Sequence, residues 1–171
     1  MAIALNGSTN VITPASAVNP TGSVLQVVSA TKTDTSSINS TTYADISGLS
    51  VSITPASSSN KIFLLASIYL AAGGSGGSFS TVKINFVRGS TAIGQGGGSV
   101  SHISTLAMYL NEVHMFPVPM SFLDTPSTTS ATTYKLQWAV DSVNNHVYAN
   151  RYHGADNYHG ISTLTAMEVA G

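Results

Sequence analysis

Hydrophobic residues recur along this chain with a period of two. Tyr134, Leu136, Trp138 and Val140 alternate with Lys135, Gln137, Ala139 and Asp141, and Val82, Ile84 and Phe86 alternate with Lys83 and Asn85. Successive side chains of a strand point to opposite faces, so each run reads as a strand with an apolar side and a polar side. Runs of this kind, bounded by Gly, Pro, Asn and Ser, predict strands over 23–30, 42–46, 49–54, 61–71, 80–88, 113–123, 132–141, 146–152 and 161–170. Hardly any segment has the 3.6-residue period of a helix. Many short strands separated by turn residues predict an all-β chain, an antiparallel β-sandwich or barrel. The apolar run 161–170, which stops at Gly171, is expected to be tucked inside its sheet.

Three segments depart from simple alternation. From Ile62 to Leu70 the chain is apolar at nearly every position, so both faces of this strand need cover, the second from another layer or a neighbouring subunit. Phe63, Leu65 and Tyr69 are therefore expected at a subunit interface. His114, on the same strand face as Phe116, Val118, Met120 and Phe122, is expected in the core or at that interface. Pro117 and Pro119 remove two backbone donors, which predicts an edge strand or a bulge. Residues 1–22, small and polar with Pro14 and Pro20, read as an extended N-terminal arm that attaches to a partner, leaving 23–171 as the sandwich domain.

Composition then narrows the partners. At 171 residues and 43% hydrophobic, the chain suits one domain with a sizeable core. Charged residues are 8% of the chain, against a usual share of about 25%, and Ser and Thr make up about a quarter of it. The six Lys and Arg are scattered singly, so no nucleic-acid partner is expected. A net charge of −1 leaves association between copies unopposed. Cysteine is absent, which removes disulfides and thiolate metal sites. Met1-Ala2-Ile3-Ala4-Leu5 lacks the basic start and long apolar run of a secretion signal, and Ile62–Ala72 falls short of the ~20 residues a membrane span needs. Export by a signal and membrane insertion are not expected.

The order of several pieces carries a resemblance. Val24-Leu25-Gln26-Val27-Val28 is followed by a Ser/Thr linker, Thr42-Tyr43 and Asp45. Gly48-Leu49-Ser50-Val51-Ser52-Ile53-Thr54-Pro55, a Ser run and Asn60-Lys61-Ile62 come next, then Val87-Arg88-Gly89-Ser90-Thr91-Ala92-Ile93 and the closing Leu164 to Gly171. This succession resembles tail-fibre and head-decoration proteins of phages that infect aquatic bacteria, including cyanophages. The opening Met1-Ala2-Ile3 with Asn6-Gly7-Ser8 is similar to the starts of phage fibre chains. The resemblance covers most of 23–94 and the last ten residues, and leaves the middle unmatched. It implies a homotrimeric jelly roll, similar in architecture to tumour-necrosis-factor and complement C1q heads, and a place in the virion. It brings no catalytic residues.

The densest candidate chemistry lies in Tyr148, Arg151, Tyr152, His153, Asp156, Tyr158 and His159, where Tyr-His-Gly occurs twice, six residues apart. Flat aromatic faces and hydrogen-bonding edges on a loop suit contact with a host glycan or protein. A solvated loop, or Tyr and His packed between subunits, are the alternatives. His153, Asp156 and His159 carry metal-ligand chemistry, but no metal and no cofactor is expected. Gln95–Ser99 is not a phosphate loop, since neither a Lys-Ser/Thr pair nor a helix follows. With no Gly-x-Ser-x-Gly elbow and seven acids isolated in sequence, enzymatic activity is not expected. The sequence thus predicts a phage virion protein: a trimeric fibre, tip or surface module with host contact, or alternatively a capsid decoration (cement) protein. Its partners would be itself and other phage structural proteins. A carbohydrate-binding module outside a virion is the remote alternative.

Overall fold

The alternation becomes eleven antiparallel strands in the computed structural model, which describes residues 19–74, 80–97, 104–110, 114–152 and 158–171. They are β1 (Val24–Lys32), β2 (Ser36–Ile38), β3 (Ala44–Ile53), β4 (Lys61–Gly74), β5 (Ser80–Arg88), β6 (Thr91–Ile93), β7 (Leu106–Leu110), β8 (Phe116–Asp124), β9 (Thr132–Val140), β10 (Asn145–Ala149) and β11 (Ser162–Val169). Two sheets share them. In the first, β1 pairs with β11, β11 with β4, and β4 with β8. β10 continues along the side of β4 that β11 occupies, pairing with Leu70–Gly74, and β2 lies beyond it. In the second the order is β3-β9-β5, with β6 and β7 sharing the remaining side of β5 at Phe86–Arg88 and Ser80–Ile84. The closing strand is internal, between β1 and β4, as the apolar run 161–170 predicted.

The core is the space between the sheets. Ile62, Leu64, Ala66, Ile68 and Leu70 of β4 face it from one side, and Ile84, Phe86, Leu136, Trp138 and Val140 from the other. Trp138 is 3% exposed, a core residue as its strand pattern requires. Polar ties cross the core. Tyr134 of β9 donates to Asp124 Oδ2 at the end of β8 (2.6 Å), and Arg88 Nη1 lies 3.0 Å from both oxygens of that carboxylate. Burial first, and then the neighbouring carboxylate, push the Tyr134 phenol well above its ordinary range.

Several expectations change shape. The predicted strands 42–46 and 49–54 form one strand, because Gly48, at φ +85°, supports an irregularity between Asp45 and Ser50 in the pairing with β9. Ile46 and Leu49, three apart, would face opposite ways in a regular strand, and the bulge turns both into the core. Lys83 and Asn85, expected on a polar outer face of β5, are buried at 8% and 2% exposure. Gln95 Nε2 (3.3 Å) and Thr105 N (3.1 Å) both donate to Asn85 Oδ1, which ties the connection between β6 and β7 over that face. Three strands were not predicted. Ser36–Ile38 and Thr91–Ile93 are too short to show a period, and Leu-Ala-Met-Tyr-Leu of β7 is apolar at every position with more helix than strand propensity.

On the outer face of the first sheet the register sets out rows across β1, β11, β4 and β8. One row is Val27–Met167–Phe63–Leu123, the next Ser29–Thr165–Leu65–Ser121, and the next Thr31–Thr163–Ser67–Pro119. Among the described residues β4 is therefore only partly covered on its outer face. Its inner side chains are buried, while Phe63, Ser67 and Tyr69 are half-buried and Leu65 is 37% exposed. Among the described residues β8 pairs with β4 and with no other strand, so Pro117 and Pro119 sit on an edge, as predicted. His114 is exposed just ahead of β8, its ring 5.8 Å from that of Phe116, which corrects the expectation of a core histidine. The described chain begins at Asn19, where Gly22 N donates to Ala170 O (2.8 Å) and Ala170 N to Ser23 O (2.9 Å). Most of the predicted arm lies outside the described residues.

Candidate functional site

At the opposite end of β11 from Ala170, a polar knot supports the aromatic loop. β10 ends where Asn150 takes a left-handed backbone (φ 60°), a conformation Asn tolerates better than most residues, so the predicted strand 146–152 stops at Ala149. Asn150 is fully buried and satisfied on every side. Its Nδ2 donates to Lys32 O (2.8 Å) and Asp34 O (3.0 Å), and its Oδ1 accepts from Ser162 Oγ (2.6 Å). Its N donates to Tyr69 O (2.9 Å), and its O accepts from Gly160 N (3.1 Å). One residue, through its side chain and its backbone, thus ties the end of β1, the middle of β4, the start of β11 and both limbs of the loop. Asn as a turn former was the available sequence signal, and it marked only a strand boundary.

From that base the loop rises as two facing limbs. Arg151 bridges His159, and Tyr152 N donates to Tyr158 O (3.2 Å). The Arg151 guanidinium carbon lies 4.4 Å from the centre of the Tyr148 ring, a cation–π contact. Tyr148 in turn stacks with His146 (6.4 Å, 19° between planes), and Tyr152 meets Tyr158 edge to face (6.2 Å, 80°). Tyr158 and His159 are exposed, whereas Tyr148, Arg151 and Tyr152 are half-buried. Of the seven predicted contact residues the structure brings these five together, while His153 and Asp156 lie outside the described residues. Among the described residues no three His, Cys, Asp or Glu side chains are grouped so as to hold a metal ion.

Beside the limbs runs an open cleft of about 360 Å³, lined by Thr33, Tyr69, Met115, His159, Gly160 and Ile161. Gly160 lets it form, because a Cβ there would fall 2.7 Å from Tyr69 Cγ. Tyr69, expected at a subunit interface, lines this cleft, three rows along β4 from Phe63. Next to Thr33, Asp34 is exposed and bonded to the buried Lys32 Nζ at 2.9 Å. That hydrogen bond holds the Asp34 carboxyl below its ordinary range, against the opposite pull of desolvation. Aromatic faces, a guanidinium, an imidazole and a carboxylate therefore converge on one end of the sandwich. Their chemistry is that of polar and stacking recognition. Thr33, Met115 and Ile161 were missed from sequence, since each is an ordinary residue that topology alone brings to the cleft.

The chain matches no protein-family model, and no curated protein is similar to it. No helix of the described residues is long and apolar enough to cross a membrane. Among solved structures, the chain is similar to that of the infectious bursal disease virus Gx strain, at 14% identity and a TM-score of 0.44, over 100% of this chain and 41% of that one. It is also similar to T=1 particles derived from infectious bursal virus, at 10% identity and a TM-score of 0.39, over 99% of this chain and 41% of that one. The chain thus spans about two fifths of the length of these neighbours.

Proposed function

We propose that this chain is a non-enzymatic virion structural protein, a jelly-roll module that assembles as a homotrimer on a phage particle and presents its aromatic loop to the host surface. The observation that carries this is polarity. Gly22 and Ser23 meet Ala170 at one end of β11, whereas Tyr148, Arg151, Tyr152, Tyr158 and His159 gather at the other. An eight-residue strand separates the two ends by about 24 Å. A module attached at one end and exposing recognition chemistry at the other needs this arrangement. The jelly-roll assignment is supported by the strand order, since β1-β11-β4-β8 faces β3-β9-β5 with β6 and β7 sharing the last place.

A second reading, a decoration protein lying on the phage head, is favoured by the open apolar row Val27–Met167–Phe63–Leu123, which suits a module lying flat on a lattice better than one at the tip of a shaft. Immunogold labelling of purified particles tests both. Label at the tail supports the fibre or tip, label over the head supports decoration, and label absent from particles overturns the virion reading. Native mass measurement tests the trimer, which a folded monomer at micromolar concentration would exclude. For host contact, Tyr148→Ala with Tyr158→Ala is expected to abolish binding of labelled protein to host cells while the fold is kept.

A further inference from the structure

We infer that the outer face of β1-β11-β4-β8 is where a second copy of this chain docks, centred on the row Val27–Met167–Phe63–Leu123. The inference rests on the self-association proposed above and names its surface. Four apolar side chains cross all four strands without a polar break. Val27 is 54% exposed and Leu123 47%, so both ends of the row remain open to water. Leu65, in the adjacent row, extends the apolar surface along β4.

The chemistry of the face points to a copy of itself as the occupant. Among the outward positions of these strands the charged side chain is Lys61, at the rim beyond Phe63. Three copies that turn this face toward a common threefold axis would meet without burying a charge or opposing like charges at their centre. The flanking side chains Ser29, Thr165 and Ser121 are hydroxyls. Each hydroxyl both donates and accepts, so a row of them can pair with its own likeness, which a row of carboxylates or ammonium groups cannot. Edge-to-edge pairing along β8 is opposed by Pro117 and Pro119, which leaves the face rather than that edge as the surface open to a copy. A four-strand face nine residues long measures roughly 30 Å by 19 Å, which with its relief approaches the ~800 Å² per partner of a standard interface.

Analytical ultracentrifugation of the full chain between 1 and 100 µM tests this, alongside Val27→Ser/Leu123→Ser, Phe63→Glu and a chain lacking residues 1–18. The serine pair changes side chains that are half exposed, so it keeps the fold even where Phe63→Glu does not, and Trp138 fluorescence verifies folding in each. The expected result is an oligomeric wild type whose dissociation constant rises at least tenfold in the serine pair, with Phe63→Glu monomeric if folded. An oligomeric wild type unaffected by both face variants overturns this surface and leaves self-association standing. A wild type that stays monomeric at 100 µM overturns self-association itself. Dissociation on removing residues 1–18, with the serine pair unaffected, assigns the contact to the arm and defeats the proposal.

Discussion

Glu168 is buried in β11 against neutral donors: Gln26 Nε2 and Asn60 Nδ2 at 2.5 Å, and Ala56 N at 2.6 Å. Burial pushes its pKa up, yet the hydrogen bonds from Asn60, Gln26 and the backbone outweigh burial and hold it below the ordinary 4.5. A carboxylate depressed in the folded state stabilises fully above its unfolded pKa, because both states are then ionised. As pH falls below about 4.5 the unfolded chain takes up the proton first, and stability is lost until the folded value is passed. Denaturant titrations between pH 7 and 3 are expected to show a drop in this window that Glu168→Gln flattens. At pH 7 that variant is expected to be weaker by about 2–3 kcal/mol, since an amide NH₂ would face donors. Asn150 supplies a second test at this scale. Asn150→Ala takes the side-chain donor from Lys32 O and Asp34 O and the acceptor from the Ser162 O–H, whose oxygen still accepts from Tyr69 N, for an expected loss of about 2–4 kcal/mol. Asn150→Gly loses the same bonds but relieves the left-handed backbone at φ 60°, so its loss is expected to be smaller by about 1 kcal/mol. Equal losses would show that the backbone there is not strained.

At the level of elements, the sequence was most legible where period two is unbroken and one face is polar. Tyr134 to Val140 and Val82 to Phe86 gave β9 and β5 nearly residue for residue, and the two prolines placed β8 on an edge. Legibility failed where a neighbour distant in sequence decides. Nothing local to Asn85 reveals that Thr105 and Gln95 will fold over it, nothing local to Lys83 that it will be buried beside Tyr43, and the bulge at Gly48 resembles a strand boundary until Ile46 and Leu49 are seen to share a core. The edge offers a prediction of its own. Residues 117 and 119 share one parity, so while β8 stays paired with β4 through its alternate residues, both proline nitrogens face away from β4. Pro117→Thr with Pro119→Thr would restore two donors along an unpaired edge. The double variant is expected to unfold at much the same denaturant concentration but to aggregate at concentrations where the parent stays clear in light scattering. Unchanged solubility would mean that the edge is protected by something other than its prolines.

For the whole molecule, the candidate site was half legible: the loop announced itself by composition, while its support at Asn150 and the cleft beside Tyr69 exist only once β1, β4, β10 and β11 converge. The apolar strand Ile62–Leu70 was legible as two-faced: its inner side chains fill the core, while on its outer surface Leu65 stays exposed and Phe63 half-buried among the described residues. The end where residues 1–18 join is closed by the sandwich's own bonds. Gly22 N and Ala170 O, Ala170 N and Ser23 O, and Gly171 N and Asn60 Oδ1 pair at 2.8, 2.9 and 3.2 Å. Glu168 fixes the 56–60 turn against β11 at the same place. Because these contacts involve no residue before Gly22, removing residues 1–18 is expected to leave thermal unfolding cooperative and its midpoint within about 2 °C of the full chain, a shift of about 1 kcal/mol or less in a protein of this size. The truncated chain is expected to keep its oligomeric state and to lose incorporation into particles, which a competition between full-length and truncated protein during particle assembly would measure. A midpoint lowered by ~5 °C or more would place that segment in the folding unit, and undiminished incorporation would place attachment elsewhere on the sandwich.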